Sequence, residues 1–171
     1  TEDLLTYFYK TEKIMIKGKR YYKSFNPENL KAQRASRDVK NPETGEVVVK
    51  KGRIFTKRAI RQLTASKLDM IPIAPEDVIE RVFAFPIDDP ENGEQPLIKS
   101  NETVDEDTLS KLKDAGVNEF DVLVVDGMSS SDSVRKTLLM DKIETRQDAL
   151  IEIYRRLRPG NPATPEVAQE F

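Results

Sequence analysis

The feature of the sequence that most constrains the fold is an approximate internal repeat. One copy, VVKKGRIFTKRAIRQLTASKLDMIPI, begins at Val48, and a second, LIKSNETVDEDTLSKLKDAGVNEFDV, begins at Leu97, an offset of 49 residues. At this offset apolar positions coincide, as Ile60 does with Leu109. Because a repeated supersecondary unit cannot bury its apolar face alone, we expect the copies to pack on each other or on flanking strands.

Each copy has a helix-start residue at the same point. Thr56 and Asp105 align in the repeat, and both precede apolar residues at helical spacing. Their side-chain oxygens can accept hydrogen bonds from the free N–H groups of a first helical turn. With similar turns predicted around Gly45 and Gly93, each copy is predicted to run turn, strand, short helix, strand.

Several stretches outside the repeat also have clear patterns. Apolar residues from Leu4 to Tyr9 predict a short helix, and IMIKGKRYY predicts two strands joined by a turn at Gly18. Residues 26–40 are polar and predicted to be irregular, whereas VRKTLLM fits either a strand or a helix. The fold class is therefore α+β, with tandem strand-helix-strand repeats, flanking strands and terminal helices.

The C-terminal part begins with a capping signal. Thr145 is an N-cap candidate with Asp148 three residues on, and a buried apolar stripe is then predicted at Leu150, Ile153, Tyr154 and Leu157. The chain starts at Thr1 and stops soon after a further helix-start signal at Thr164, which predicts a fragment of a longer protein. The predicted organisation is a flanking helix and hairpin at 1–40, the first repeat at 41–87, the second at 88–144 and a returning helix at 145–171.

The composition excludes several kinds of site. The sequence contains neither cysteine nor histidine, so it has no disulfide, no thiol nucleophile and no imidazole base or metal ligand. This argues against a self-contained hydrolase. The lack of cysteine fits a cytoplasmic location, and no apolar run approaches the roughly 20 residues that span a bilayer.

Charge is distributed unevenly although the net charge is only −2. Residues 43–67 contain seven basic and two acidic residues, a balance of +5, whereas residues 88–121 contain three basic and eleven acidic residues, a balance of −8. Lys57, Arg58 and Arg61 lie near the start of a predicted helix, where the macrodipole disfavours cations. This placement indicates an acidic partner, and the acidic second copy is the obvious candidate.

Two other clusters have plain structural interpretations. The acidic residues Glu102, Asp105, Glu106 and Asp107 lack the spacing of a calcium loop and suit a helix start, so no metal site is predicted. The stretch around Tyr21, Tyr22 and Lys23 could stack single-stranded bases, but a half-buried strand explains it better.

Arginines close the predicted C-terminal helix. Arg155 and Arg158 are three residues apart and lie off the predicted apolar stripe, whereas Arg156 projects elsewhere. Cations in a last turn complement the helix dipole, and Pro159-Gly160 ends the helix. On physics alone, this helix-end role is favoured over an anion-binding role.

The terminal segment ALIEIYRRLRPGNPATPEVAQEF resembles the segment that follows the first lobe insertion of bacterial RNA polymerase beta subunits. A Tyr-Arg-x-x-Arg-Pro-Gly-x-Pro-x-Thr pattern recurs there, and it is matched here by Tyr154, Arg155, Arg158, Pro159, Gly160, Pro162 and Thr164. The segments VKKGRIFTKRAIRQL and TLSKLKDAGVNEFDVLVVD resemble the insertion itself, in the same order. The resemblance covers essentially the whole chain.

The resemblance implies a noncatalytic part of a DNA-directed RNA polymerase, a nucleotidyltransferase that carries out transcription. The lobe forms one wall of the downstream DNA cleft, so the matching arginines, Arg155 and Arg158, are expected to bind DNA. Arg156 occupies a variable position of the pattern. In the family the catalytic magnesium is held by the other large subunit, so neither a catalytic residue nor a metal ligand or cofactor is expected in this fragment.

The implied partners are the beta prime, alpha, omega and sigma subunits, DNA and a transcription regulator that meets the insertion. No membrane contact is expected, and the isolated fragment is expected to be a monomer. A second hypothesis is a protein-docking module whose oppositely charged repeats recruit a regulator without DNA contact. A stand-alone enzyme is the third.

Overall fold

The computed structural model describes residues 2–31, 33–89, 95–125, 131–143 and 145–170. Contacts divide the chain into two compact units, Thr1–Val134 and Arg135–Phe171. None of the helices in the described ranges is long and apolar enough to cross a membrane. Helices combine with small antiparallel sheets, which confirms the α+β class.

The first unit opens with the predicted helix and hairpin. Helix α1 covers Glu2–Phe8, strand β1 covers Lys10–Lys17 and strand β2 covers Arg20–Ser24. Gly18 has a φ of 61° in the hairpin turn, a left-handed conformation that glycine adopts without a Cβ clash. These elements confirm the sequence-based assignments.

The two repeats follow as matched series of elements. The first contains β3 (Val39–Lys40), β4 (Val47–Val49), α2 (Lys57–Ala65) and β5 (Met70–Ile73). After a 3₁₀ turn at Pro75–Asp77, the second contains β6 (Ile87–Asp88), β7 (Pro96–Ile98), α3 (Glu106–Asp114) and β8 (Glu119–Val124). Strands β4 and β7 and helices α2 and α3 coincide residue for residue at the predicted offset. The prediction of one shared topology is confirmed.

Both predicted helix caps are present. Thr56 Oγ1 accepts a hydrogen bond from the Ala59 N–H at 3.2 Å. Asp105 Oδ1 accepts one from the Thr108 N–H at 2.8 Å, and Thr108 Oγ1 accepts one in return from the Asp105 N–H at 2.9 Å. The turn predicted around Gly93 lies outside the described residues.

The repeat extends further towards the N-terminus than the sequence indicates. The Ala35 N–H donates to the Arg53 carbonyl at 2.9 Å, and in the second copy the Phe83 N–H donates to the Glu102 carbonyl at 2.9 Å. Leu30 and its counterpart Val78, 48 residues on, are fully buried in these otherwise irregular stretches. The prediction that residues 26–40 are irregular is wrong at 39–40, which form β3. The described residues from 26 to 38 contain no named strand or helix, but they supply part of the first core.

A four-stranded antiparallel sheet in the order β5-β2-β1-β8 joins the repeats. The last strand of the first repeat pairs with β2, and the last strand of the second pairs with β1. One apolar cluster fills the first repeat around Leu63 and Phe55, and another fills the second around Leu112 and Phe83. The β1-β2 hairpin thus forms the centre of the sheet, and each of its strands pairs with the last strand of one repeat.

A buried ionic network lies at the junction of the two repeats. Lys23 Nζ lies 3.4 Å from Glu12 Oε1, and Arg81 Nη1 lies 3.5 Å from Glu12 Oε2. Lys23 Nζ also donates to Gln33 Oε1 at 2.9 Å. Glu12 and Lys23 are 3% and 5% exposed. Burial has the largest effect on Lys23 and lowers its pKa. The nearby Glu12 carboxylate has the opposite, smaller effect and raises it.

The second unit contains the C-terminal helices. Helix α4 covers Ser133–Met140, which settles the ambiguous VRKTLLM as helix, and α5 (Arg146–Leu157) and α6 (Pro165–Glu170) follow. The prediction that Leu150, Ile153, Tyr154 and Leu157 all face a core is wrong for two of the four residues, and Leu150 is half-buried. Tyr154 is buried, but Ile153 and Leu157 are 52% and 61% exposed. Helical spacing predicts that these residues share a face, but it does not predict whether another apolar surface packs against that face.

Candidate nucleic-acid interface

The N-terminus of α5 is fixed by local hydrogen bonds. Thr145 Oγ1 accepts from the Asp148 N–H at 3.1 Å and donates to Asp148 Oδ2 at 2.6 Å. Oxygen acceptors here satisfy N–H groups that have no partner within the helix. The cap confirms the predicted start of α5, and Arg155 follows it about three helical turns later.

Two of the arginines share one carboxylate. Arg155 Nη1 lies 2.9 Å from Glu152 Oε2, and Arg156 Nε lies 3.1 Å from Glu152 Oε1. The hydrogen bond from Arg156 is the main cause that lowers the pKa of Glu152, with Arg155 contributing. An Arg155 that faces DNA would be expected to be free of intrachain ion pairs. The structure contradicts this expectation, because Glu152 lies one helical turn before both arginines.

Glu152 is therefore a residue of the site that sequence reasoning missed. Its spacing of three and four residues from the two arginines was the available signal. The arrangement also brings Arg156, predicted to project elsewhere, onto the same carboxylate as Arg155.

Arg158 occupies the C-cap of α5. Its side chain is exposed, and its N–H donates to the Tyr154 carbonyl at 2.8 Å. Gly160 follows with a φ of 92°, a conformation that favours glycine and turns the chain away from the helix axis. The three arginines place guanidinium groups at the C-terminal end of α5, where cations complement the helix dipole and can also bind an anion.

Lys57, Arg58 and Arg61 are exposed on α2, as their helical positions predict. The expectation that the acidic second copy pairs with them is wrong for the residues that the structure describes. The ion pairs found there join β1 to its neighbours or lie within α5 instead. The basic side chains of α2 are left facing solvent.

The aromatic stretch on β2 is part of the half-buried strand. Tyr21 and Lys23 are 6% and 5% exposed, and Tyr22 is half-buried on the opposite face. Because two of the three side chains are enclosed, they cannot form a platform for single-stranded bases. Nowhere in the described ranges do acidic side chains gather in a way that could hold a metal ion.

Comparison with known proteins gives one consistent relationship. No family model matches the sequence. The chain is 56% identical over 170 residues to a protein of Desulforapulum autotrophicum named DNA-directed RNA polymerase subunit beta, which covers 99% of the chain. Proteins with the same name from Desulfatibacillum aliphaticivorans and Desulfosudis oleivorans are 48% and 45% identical over 100% and 99% of the chain. The chain spans about 12% of the length of each relative.

Proposed function

We propose that this chain is a noncatalytic module that helps to form the wall of the DNA cleft. The chain belongs to the DNA-directed RNA polymerase beta subunit family and corresponds to one segment of that subunit. The observation that carries the proposal is sequence identity of 45–56% along almost the whole chain. The tandem repeats would form the lobe insertion, and α5 with α6 would return the chain to the lobe.

In this proposal the whole enzyme transfers nucleotidyl groups and this segment does no chemistry. The proposed partners are the beta prime, alpha, omega and sigma subunits, together with DNA, in the bacterial cytoplasm. The catalytic magnesium would be held by the other large subunit. The sequence lacks histidine and cysteine, so a separate hydrolytic site here would need to be built from carboxylates, lysines and hydroxyl groups.

DNA contact is proposed for Arg158 and Arg155. Arg158 is exposed at the helix end, and a guanidinium group suits phosphate oxygens because it can form two parallel hydrogen bonds. Arg155 would have to exchange Glu152, 2.9 Å away, for a phosphate. Because solvent screens this exposed ion pair, a DNA phosphate can compete with Glu152 for the Arg155 side chain.

The test places Arg158→Ala in the complete polymerase. We expect promoter open complexes to dissociate faster, and the slope of log affinity against log salt to fall by about 0.9 for a lost phosphate contact. The melting temperature should not change, because the side chain is exposed. Arg156→Ala is the matched control from the same helix and should have a smaller effect. Unchanged open complexes with a lower melting temperature would assign Arg158 to helix capping only.

A protein-docking module without DNA contact is the second candidate. The observation in its favour is the exposed basic face of α2, which no carboxylate of the described residues neutralises. If neither Arg155→Ala nor Arg158→Ala alters open complexes or their salt dependence, this function replaces the first. Nucleotide turnover by the isolated chain with magnesium would instead support the stand-alone enzyme.

A further inference from the structure

The first repeat carries a continuous run of exposed cations between β4 and the middle of α2. We call it the α2 basic surface and define it by Lys50, Lys51, Arg53, Lys57, Arg58 and Arg61, all of them exposed. On the helix, Arg61 lies one turn from both Lys57 and Arg58, so these three side chains share one face. The loop that carries the other three leads directly into the helix.

The loop that precedes α2 is held in place by the fold. Gly52 has a φ of 78°, and its carbonyl accepts a hydrogen bond from Arg34 Nη1 at 3.0 Å. The Phe55 N–H donates to the Gln33 carbonyl at 3.0 Å. The cations of the loop are therefore presented on an ordered backbone beside the helix.

The side-chain cations of this surface form no ion pair among the described residues, although the Lys51 N–H donates to Asp38 Oδ1 at 2.7 Å. Other basic side chains of the first unit do form ion pairs, as Lys10 pairs with Glu28 and Lys13 with Glu119, each at 3.4 Å. Clustered like charges repel one another, and no ion pair among the described residues of the unit offsets this repulsion.

The second repeat shows that the fold does not require these cations. At three of the six equivalent positions the charge is reversed, in the pairs Arg53 and Glu102, Lys57 and Glu106, and Arg58 and Asp107. Serine replaces Lys51 and Arg61 in the second repeat, and Lys50 is matched by a lysine. The acidic version is also the one that the helix dipole favours in a first turn, by about 0.3–1 kcal/mol per charge. The cations at the start of α2 thus lower the stability of that helix, as is expected of residues whose role is recognition.

The composition of the surface favours a protein over a nucleic acid. Ile54 is 44% exposed between Arg53 and the helix, and it supplies an apolar contact amid the charges. The exposed aromatic side chains among the described residues lie elsewhere, at Tyr7, Phe8 and Phe85, so the surface offers no platform for bases.

We propose that the α2 basic surface is a docking site for an acidic segment of a partner protein, with Ile54 contacting an apolar residue of that segment. Complementary charge steers the encounter and sets the register, and the apolar contact adds burial. This site is separate from the arginines of α5 and does not depend on their facing DNA.

The test measures binding of the 171-residue chain to a fluorescein-labelled amphipathic peptide made of glutamate and leucine. The variant Lys57→Glu/Arg58→Asp copies the residues of the second repeat. The control Lys19→Glu/Arg20→Asp changes two exposed residues of the hairpin. Each variant changes the net charge by −4, from −2 to −6, so they differ only in where the charge is reversed.

We expect the α2 variant to bind the peptide about tenfold more weakly and the control to lose about twofold or less. The α2 variant should melt at the same temperature or higher, since acidic residues suit its position. Ile54→Thr, which also copies the second repeat, should weaken binding of the glutamate-leucine peptide but not that of oligoglutamate.

Three results would overturn the proposal. Equal losses in both variants would mean that net charge alone governs binding. Tighter binding of duplex DNA than of the peptide, abolished by the α2 variant, would make this a nucleic-acid surface. Concentration-dependent self-association in sedimentation, lost in the α2 variant, would assign the surface to a second copy of the chain.

Discussion

The two repeats have the same backbone and opposite surfaces. Their helix bounds and strand pairing coincide. Their left-handed residues coincide as well, because Gly52 and Asn101 occupy equivalent positions with φ of 78° and 67°. Yet α2 begins with two cations and α3 with two carboxylates. Caps, turns and buried apolar residues therefore determine the structure of this unit, while its surface charge is free to serve recognition.

The interiors of the repeats differ as well. Ala35 in the first copy corresponds to Phe83 in the second, where the ring packs on Phe120 with centroids 5.2 Å apart. Both residues are buried. The same turn therefore accepts a small or a large side chain, because each repeat fills its own cluster against its own side of the sheet.

The largest effect should come from the network that joins the copies. Glu12→Gln leaves Lys23 and Arg81 facing each other without their shared counter-charge, and breaking a buried pair in this way costs about 3–5 kcal/mol. Lys23→Met should cost less, because Glu12 keeps Arg81 at 3.5 Å. Urea denaturation of the chain measures both, and a greater loss for Lys23→Met would contradict this account of the network.

The same network predicts a pH dependence. Because burial holds the pKa of Lys23 below its ordinary 10.5, the unfolded chain binds more protons between the lowered pKa and 10.5. Stability conferred by this residue should therefore rise with pH across that window. The difference in unfolding free energy between wild type and Lys23→Met should shift in favour of the wild type on going from neutral to alkaline pH.

Much of this architecture is readable from local patterns. Caps and apolar periodicity lie within a few residues of one another, so Thr56, Asp105 and the two helices were predictable. Leu30 and Val78 were not, because single apolar residues in polar stretches have no period. Glu12 could have been placed inside, since it alternates with Ile14 on one face of β1, but only the sheet pairing reveals its partners.

The candidate site was predictable in part for a similar reason. The end of α5 and the exposure of Arg158 follow from the Pro-Gly pair and the helical period. Arg155 can either pair with Glu152 or extend into solvent. The spacing of three residues allows the pair but does not show which of the two conformations the side chain adopts. The exposure of Ile153 and Leu157 depends on which other elements cover α5. The sequence pattern of the helix itself does not contain that information.

A matched pair of core substitutions tests whether the copies contribute equally. Leu63 and Leu112 are equivalent and fully buried, so Leu63→Ala and Leu112→Ala should each cost about 2–5 kcal/mol. Because β5 and β8 belong to one sheet, we expect a single urea transition in both variants. Two separate transitions, with only one shifted by each substitution, would show that the repeats unfold independently.

A smaller difference is expected where the helices end. Lys67 follows α2 with a φ of 51°, and its counterpart Gly116 follows α3 with a φ of 71°. Lys67→Gly should stabilise the chain by about 0.5–1 kcal/mol, because the left-handed conformation strains a residue with a Cβ. Gly116→Ala should destabilise it by about 1 kcal/mol through the backbone alone, since nothing lies within 4 Å of the added Cβ. Melting curves that shift both variants in the same direction would contradict the equivalence.

The smallest effect distinguishes the two caps by their chemistry. Thr56→Ala should cost about 1 kcal/mol at any pH, because a hydroxyl cap does not titrate in the accessible range. The Asp105 cap does titrate, since hydrogen bonds from the backbone and side chain of Thr108 lower the pKa of Asp105 below its ordinary 3.8. The folded chain then binds fewer protons than the unfolded one, so the contribution of this cap is present above pH 3.8 and is lost as pH falls through the lowered pKa. Urea denaturation from neutral pH down to pH 3.8 and below should therefore show a constant deficit for Thr56→Ala and a shrinking one for Asp105→Ala. If both deficits stay constant, the carboxylate contributes to the second helix by its shape and not by its charge.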